Sequence, residues 1–149
     1  MQLEPYLFFE GRCDEAIDFY RRALGAQVEA VMRYNEAPAG MPCPAEVRPD
    51  SVMHARLRVG DTHFMASDGR CEGKPRFEGF ALSVTASGDA EAKRLFDALA
   101  DAGSVQMPLA PTFFATSFGM LTDRFGVAWM VYAPRPEVKV RERRSATTA

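Results

Sequence analysis

The chain has 149 residues, of which 47% are hydrophobic and 26% are charged, which suits one ordinary globular domain or two small, closely packed halves. Its formal net charge of -2 provides no global positive field for a polyanion, so we expect no nucleic-acid partner. No apolar run approaches the roughly 20 residues of a spanning helix, and residues 1–5 lack the pattern of a signal peptide, so we expect no membrane association. The three cysteines form no CxxC motif, which suits reduced thiols and predicts a cytoplasmic protein.

The first third of the chain contains a strand, a helix and a second strand. Residues 3–10 form an almost continuous apolar run, which predicts a strand covered on both faces. Between residues 14 and 24 the apolar positions follow helical spacing, and Gly25 suits the end of that helix. Residues 27–33 alternate in polarity, which predicts a half-buried strand. The five prolines and glycines that break residues 35–50 predict a long surface loop.

Two further strands follow as a hairpin. Residues 53–59 and 62–67 both alternate in polarity, and Gly60-Asp61 between them is a two-residue turn signal. Residues 68–76 contain two glycines and a proline, which indicates a linker.

After this linker the same order begins again. The predicted elements are a strand at 80–85, a helix at 89–102 and strands at 105–109, 114–122 and 127–132. The sequence therefore predicts an α+β fold of two βαβββ modules, at about 3–68 and 78–134, within one domain of residues 1–136. Residues 137–149 are polar and rich in arginine, which predicts a flexible tail rather than a nucleic-acid arm.

Several short sequences in this order resemble those of one superfamily. They are Pro5-Tyr6-Leu7-Phe8-Phe9-Glu10-Gly11, Ala16-Ile17-Asp18-Phe19-Tyr20, Met53-His54-Ala55, Met65-Ala66-Ser67-Asp68 and Asp123-Arg124-Phe125-Gly126-Val127-Ala128-Trp129-Met130. The chain thus resembles the vicinal oxygen chelate superfamily of glyoxalase I, bleomycin-resistance proteins and extradiol dioxygenases, and within it the PhnB-like group. The resemblance implies a cupped mixed sheet with the helices outside and a cavity inside, and it implies a homodimer.

Metal-dependent members of this superfamily place four metal ligands in the cavity. Aligned on local anchors, the resemblance puts those positions at Pro5, Met65, Gly79 and Met130. Proline and glycine offer no side-chain donor, and thioethers are poor ligands for the divalent metals concerned. We therefore expect no metal and no other cofactor.

Two alternatives remain open at this stage. A shifted metal site built from Glu10, His54 and Asp68 would make the protein an enzyme of the glyoxalase or dioxygenase type. A partner-binding module would require a large exposed apolar patch. Some PhnB-like proteins are labelled ubiquinone methyltransferases, but this chain has no Gly-rich strand-to-helix turn that would bind a nucleotide-like methyl donor.

Strand parity around the predicted hairpin separates two faces. If Gly60-Asp61 is the turn, Val59 pairs with Thr62, Arg58 with His63, Arg56 with Met65 and His54 with Ser67. The face expected to pack under the helix holds Met53, Ala55, Leu57, Val59, Phe64 and Ala66. The opposite face, expected to line the cavity or to meet solvent, holds His54, Arg56, Arg58, His63, Met65 and Ser67.

The polar residues of this second face each have two interpretations. His54 is a general base or polar anchor, or simply a hydrogen-bonded histidine. Arg56 receives a carboxylate or phosphonate, or forms an ion pair with Glu29 or Glu78. For His63 we expect solvent exposure beside the hairpin.

In the second half, strand parity predicts that Met130 and Tyr132 point into the cavity and that Trp129 points toward the helix layer. The sequence predicts a small organic ligand in an apolar cavity and leaves any catalytic residue unassigned. The predicted ligand-binding residues are His54, Arg56, Met65, Ser67, Phe118, Met130 and Tyr132. For Cys13, near the start of the first helix, we expect a small packed residue rather than a reactive thiolate.

Overall fold

Two four-stranded mixed sheets and two helices make up the architecture. The computed structural model describes residues 1–38, 47–69 and 74–136. The elements are β1 (Tyr6–Phe8), α1 (Cys13–Leu24), β2 (Gln27–Arg33), β3 (Val52–Val59), β4 (Thr62–Ser67), β5 (Leu82–Thr85), α2 (Asp89–Ala100), β6 (Ser104–Ala110), β7 (Ala115–Thr122) and β8 (Ala128–Pro134). The strand orders are β1-β4-β3-β2 and β5-β8-β7-β6. The predicted α+β fold of two βαβββ modules is confirmed.

Helix α1 begins and ends where the sequence indicates. Its apolar stripe is buried, and the last turn is closed by Gly25 in the left-handed region at φ 66°. The amide of Gly25 donates to the carbonyl of Arg21, and that of Ala26 donates to Tyr20. Such a paired closure requires a residue that tolerates positive φ, which explains the glycine.

The covered faces of the two sheets share one core. Tyr20 of α1 contacts the ring of Phe64 in β4 at 5.8 Å between centroids and that of Trp129 in β8 at 5.7 Å. The same core contains Leu7, Leu57, Ala66, Leu121 and Val131. Because the covered faces of both sheets meet in this core, the open face of each sheet lies on the side away from it.

A buried carboxylate, Asp123, joins the modules. Its Oδ2 accepts hydrogen bonds from the hydroxyl of Tyr20 at 2.5 Å and the indole N–H of Trp129 at 2.8 Å. Its Oδ1 accepts from the backbone N–H groups of Phe125 and Val127. Burial, together with the Asp123 carboxylate, holds the pKa of the Tyr20 phenol well above its usual range, so the phenol remains a donor.

A second buried carboxylate holds the first module together. One oxygen of Asp68 accepts the N–H of Cys13 at 2.8 Å, at the start of α1, and the other accepts the N–H of Val52 at 2.7 Å, at the start of β3. A carboxylate at a helix N-terminus satisfies an N–H group that has no partner within the helix. Asp68 therefore fixes the helix against the sheet that it covers.

Two strands are less covered than the sequence predicts. β1 was expected to be covered on both faces, but the Phe8 side chain is 53% exposed. β2 was expected to be half-buried, but Val28 and Met32 are 38% and 45% exposed. Both strands lie at sheet edges, so within one chain neither has a neighbour on its outer side.

The start of β3 corrects the predicted parity. Met53 was expected on the covered face, but Val52 is fully buried and Met53 is only partly buried. The pairing of β2 with β3 shifts register here, from Met32 opposite His54 to Arg33 opposite Val52. This bulge adds one residue to β3 and reverses the alternation before His54.

Parts of other predictions lie outside the described residues. These are positions 39–46 of the proline-rich loop, 70–73 of the linker and the whole of the predicted tail, 137–149. In the part of the chain that the structure describes, no helix is both long and apolar enough to cross a membrane.

We predict that replacing Asp123 with alanine lowers the free energy of unfolding by about 3 kcal/mol or more, because four donors lose their buried acceptor. Urea denaturation followed by circular dichroism measures this loss. The control is Asp97→Ala, since Asp97 is an exposed partner of Lys93 on α2 and its loss is expected to cost less than about 0.5 kcal/mol. Equal effects of the two substitutions would contradict the role assigned to Asp123.

Candidate functional site

The open face of the first sheet carries the residues that strand parity predicts. In the observed register Val59 pairs with Thr62, Arg58 with His63 and Arg56 with Met65. The opposite set, Ala55, Leu57, Phe64 and Ala66, is buried beneath the helices. The predicted separation of the two faces is therefore confirmed over these rungs.

Tyr6 adds a polar group to this face that the sequence analysis did not single out. Its hydroxyl lies 3.1 Å from Nδ1 of His54, and its ring lies 5.0 Å from that of Phe8. Tyr6 stands beside Met65 in the parallel pairing of β1 with β4, and Phe8 stands beside Ser67. Alternation within the apolar run places Tyr6 on the open face, but the run alone does not indicate its partner.

Ser67 lies on this strand but is buried, and its hydroxyl accepts the N–H of Gly69 at 3.1 Å. That contact stabilises the turn after β4. It leaves Ser67 less available to a ligand than Tyr6 or His54.

Arg56 forms the ion pairs that were one of its two interpretations. Its guanidinium lies 2.8 Å from Oε1 of Glu4 and 3.8 Å from Oε1 of Glu29. Glu29 also lies 2.6 Å from Nε2 of His63, whose Nδ1 is 3.9 Å from Glu4. The four side chains form a charge cluster in which the arginine already has carboxylate partners. His63, expected to face solvent, is only about a quarter exposed and belongs to this cluster.

The open face of the second sheet is uncharged, with aromatic and methionine side chains at its centre. Phe118 pairs with Tyr132 across β7 and β8, and two residues further along, on the same face, Met120 pairs with Met130. On β5, Ser83 stands beside Met130 and Thr85 beside Tyr132, so this face also carries hydroxyl groups. The ring of Phe114 lies 5.2 Å from that of Phe118 and 6.1 Å from that of Tyr132. Strands β5 to β8 contain no charged residue. Trp129, as predicted, is buried on the helix side.

The structure separates the predicted ligand-binding residues into two groups. His54, Arg56, Met65 and Ser67 lie on the first sheet, whereas Phe118, Met130 and Tyr132 lie on the second. Within the described residues of one chain, no hydrogen bond, ion pair or ring contact joins the two groups. Each group lies on the open face of a different sheet.

The side chains at the superfamily's ligand positions do not fit a divalent metal. Pro5 and Met65 are neighbours, since the Met65 N–H donates to the Pro5 carbonyl at 2.9 Å, but neither has a suitable side-chain donor. The alternative site of Glu10, His54 and Asp68 is not found as a cluster of potential metal ligands among the described residues either. Among residues 1–38, 47–69 and 74–136, no three His, Cys, Asp or Glu side chains are arranged to hold a metal ion.

An open groove of about 850 Å³ lies between the modules. The N-terminal segment Gln2–Pro5 and the β3–β4 hairpin line one side, and β5 with α2 lines the other. β5 is a terminal strand of its sheet, so its outer edge has no strand partner among the described residues. Of the residues in the charge cluster, Glu4 and His63 contribute to this groove.

Cys13 is fully buried at the start of α1. Burial, with a further contribution from the nearby Asp68 carboxylate, raises the pKa of its thiol well above the usual range. The thiol is therefore not an activated nucleophile. Cys43 and Cys71 lie outside the described residues.

Comparison with known proteins places the chain in a family. Residues 1–132 match the family described as 3-demethylubiquinone-9 3-methyltransferase. Protein YjdN of Escherichia coli is 38% identical over 138 residues, which cover 88% of this chain and 94% of YjdN. The chain belongs to this family, the PhnB-like family.

Solved structures agree with this assignment. Protein PA1353 from Pseudomonas aeruginosa is 47% identical, with a TM-score of 0.78, and the match covers 90% of this chain and 98% of PA1353. A PhnB protein from Bacillus cereus is 27% identical, with a TM-score of 0.75 and coverages of 89% and 99%. A glyoxylase/bleomycin resistance protein/dioxygenase domain from Frankia shares the fold alone, at 12% identity, a TM-score of 0.56 and coverages of 93% and 95%. The resemblance stated from sequence is confirmed.

We predict that Cys13 resists alkylation in the native protein, because its thiol is buried and protonated. Treatment with iodoacetamide at pH 8, followed by peptide mass spectrometry, is expected to leave Cys13 unmodified. The same treatment in denaturant is expected to label it completely. Rapid labelling without denaturant would contradict the burial and the raised pKa described above.

Proposed function

We propose that this PhnB-like protein binds a small organic molecule in an apolar cup that two copies of the chain build together. The supporting observation is that the predicted binding residues of one chain lie on the open faces of two separate sheets, with no hydrogen bond, ion pair or ring contact between the two groups among the described residues. One wall is the open face of the first sheet, with Tyr6, His54 and Met65, and the other is the aromatic face of the second sheet. We propose a cytoplasmic location because a sequence with three cysteines and no CxxC motif suits a reducing compartment.

In this proposal a second copy of the chain encloses the ligand. If two chains are related by a two-fold axis, the first sheet of each copy faces the second sheet of the other, and two equal cups result. The exposed apolar side chains that one chain leaves in water support such an arrangement. They include Phe8, Met32, Val105 and Met107, each about half exposed.

The free strand edges also suit a second copy. The unpaired edge of β5 runs along the 850 Å³ groove, beside the residues that precede β1. An exposed edge offers N–H and C=O groups that another strand can pair with, and natural proteins rarely leave such an edge uncovered. We therefore place the contact between the two copies near β1 and β5.

The family's description names a methyltransferase, but the residues favour ligand binding. The turn between β1 and α1, Glu10-Gly11-Arg12, has a single glycine and lacks the repeated glycines that let a backbone approach a nucleotide. The metal-dependent chemistry of related folds has no suitable donor set among the residues described above. Ligand binding requires neither feature.

Mixed dimers test the composite cup. Met65→Lys spoils the first wall and Met130→Lys spoils the second, so a dimer of either variant alone has two damaged cups. In a mixed dimer one cup receives both lysines and the other receives none. We predict that each variant alone loses Nile red fluorescence enhancement. Refolding equal amounts of the two together forms mixed dimers for about half of the population, each with one intact cup, so about a quarter of the wild-type binding sites is expected to return.

Sedimentation velocity supplies the control, since wild type and both variants are expected to sediment at twice the mass of the chain. A monomer at micromolar concentration would overturn the proposal. Mixed dimers that do not recover Nile red binding would also overturn it, because a cup contained within one chain would remain damaged in both partners. Full binding by either lysine variant alone would show that its wall does not touch the probe.

We also predict that protein purified without chelator and without a metal-affinity tag contains no stoichiometric divalent metal. The reason is the donor set, because thioethers, proline and glycine occupy the superfamily's ligand positions. Inductively coupled plasma mass spectrometry measures the metal content. One zinc, nickel, manganese or iron per chain would contradict this prediction and would favour the enzyme alternative.

A further inference from the structure

We infer that the ligand of this cup is an uncharged, flat aromatic molecule with a hydroxyl or similar polar edge, rather than a carboxylate or phosphonate. The inference rests on the proposed composite cup and specifies its ligand class. It follows from three features of the walls: the surface of the second sheet, the pairing of charges on the first, and the Tyr6–His54 pair.

The second wall favours flat, uncharged ring systems. The rings of Phe114, Phe118 and Tyr132 lie together, and the Met120–Met130 pair extends the same face along β7 and β8. Aromatic rings pack against other rings with a preference beyond their buried area, and thioethers adapt to ring edges. With no charged residue on β5 to β8, this wall provides no counterion for a ligand.

The first wall has cations, but they already have partners. Arg56 lies between Glu4 and Glu29, as described above. Arg58, at the hairpin end, donates to the carbonyl of Gly60 and to the side chain of Gln27. A carboxylate or phosphonate that entered the cup would have to displace Glu4 or Glu29 from Arg56, and it would meet their negative charge. An anion is therefore disfavoured.

The Tyr6–His54 pair has unused hydrogen-bonding capacity. The direction of the Tyr6–His54 hydrogen bond depends on the imidazole tautomer, but in either neutral tautomer the bond uses Nδ1 and leaves Nε2 as the other donor or acceptor. Within the described residues this Nε2 has no protein partner, and the Tyr6 oxygen still has lone pairs. The pair thus presents one donor and one acceptor side by side, which matches a hydroxyl group on the edge of a ring.

Two exposed cations lie at the edge of the first wall, beside Phe8. Lys74 and Arg76 line a small pocket with Phe8 and Glu10, beyond the end of β1. Exposed charges attract an anion only weakly because water screens them, and here a carboxylate lies in the same pocket. They are the competing source of anion recognition, and the experiment below includes them.

Binding of matched naphthalene probes tests the inference. 1-Naphthol, naphthalene-1-phosphonate and decahydro-1-naphthol share a two-ring skeleton, and they differ in charge and aromaticity. Isothermal titration of the wild-type dimer is expected to give a Kd for 1-naphthol at least tenfold lower than for either of the others. An equal or higher affinity for the phosphonate would overturn the inference.

Two variants test the polar edge. In Tyr6→Phe and His54→Phe the ring remains but the hydrogen-bonding group is lost, so the advantage of 1-naphthol over 1-methylnaphthalene is expected to fall about fivefold. His63→Phe is the matched control, because His63 is on the same face but is engaged by Glu29. In His63→Phe the preference for 1-naphthol over 1-methylnaphthalene is expected to stay within twofold of the wild-type value. An equal loss in all three variants would contradict the assignment of the polar edge to Tyr6 and His54.

One double variant tests the charge pairing in the opposite direction. Replacing both Glu4 and Glu29 with glutamine leaves Arg56 without its carboxylate partners, so the affinity for naphthalene-1-phosphonate is expected to rise at least tenfold. No rise would show that these pairs do not exclude anions. If the wild type binds the phosphonate tightly and Lys74→Gln/Arg76→Gln abolishes that binding, anion recognition lies in the pocket beyond β1 and the inference is wrong.

The two proposals fail differently. If the chain forms dimers and binds the phosphonate as tightly as 1-naphthol, the ligand class is wrong but the composite cup remains. If no probe binds and the chain sediments as a monomer, the proposed function itself fails and the ligand class fails with it.

Discussion

The buried carboxylate of Asp123 determines how the two halves of this protein face each other. It accepts from Tyr20 of α1 and from Trp129 of β8, so it ties the first module's helix to the second module's sheet. A hydrogen bond to a buried charged group contributes roughly 1.5–3 kcal/mol, and the loss of the acceptor would leave several donors without partners. Because the covered faces of both sheets are held together in this way, the open faces lie outside the shared core. That arrangement is what leads us to propose that a second copy completes the cup.

Two arginines, one from each module, make further contacts across the same junction. The guanidinium of Arg12 lies 4.6 Å from the ring centroid of Phe125, and that of Arg124 lies 4.4 Å from the ring centroid of Phe19. Each arginine belongs to one module and each ring to the other, so the contacts cross the junction in both directions. At partly exposed sites such contacts contribute about 0.5–1 kcal/mol each, which is less than the buried carboxylate. They supplement the hydrogen bonds of Asp123 in holding the two modules together.

Local patterns in the sequence predicted the elements and the faces, because a period of two or of 3.6 residues directly reports which side chains share a face. The two-residue turn at Gly60-Asp61 even gave the correct hairpin register. The bulge at Met53 could not be predicted, since it arises from pairing with β2, whereas the apolar and polar residues of the sequence alternate through Met53 without a break. The partnership of Tyr20 with Asp123 spans 103 residues and leaves no local pattern.

The sequence predicted which candidate residues lie on the open faces of the sheets, but it did not predict which side chains they contact. Parity placed His54, Arg56 and Met130 on open faces, but it carries no information about what an open face meets. Glu4 was missed because it precedes the strand, and only the parallel pairing of β1 with β4 brings it beside Arg56. For the same reason Tyr6 was predicted as a strand residue without a partner. Contacts between distant strands decide these roles, and they depend on the packing of the whole module.

The internal pairing of charges on the first sheet also affects how easily the cup can close. Covering an unpaired arginine with a second copy would remove its hydration without replacement, at a cost of several kcal/mol. Arg56 instead already lies against Glu4 and Glu29, so much of its hydration has been replaced before any partner arrives. The opposite wall bears no charge, so its burial is favourable at about 25 cal/mol per Å² of apolar area. A polar wall with satisfied charges and an apolar wall can therefore close on each other, whereas two polar walls with unpaired cations would repel. The same pairing that keeps anionic ligands away from Arg56 thus makes enclosure by a second chain energetically feasible.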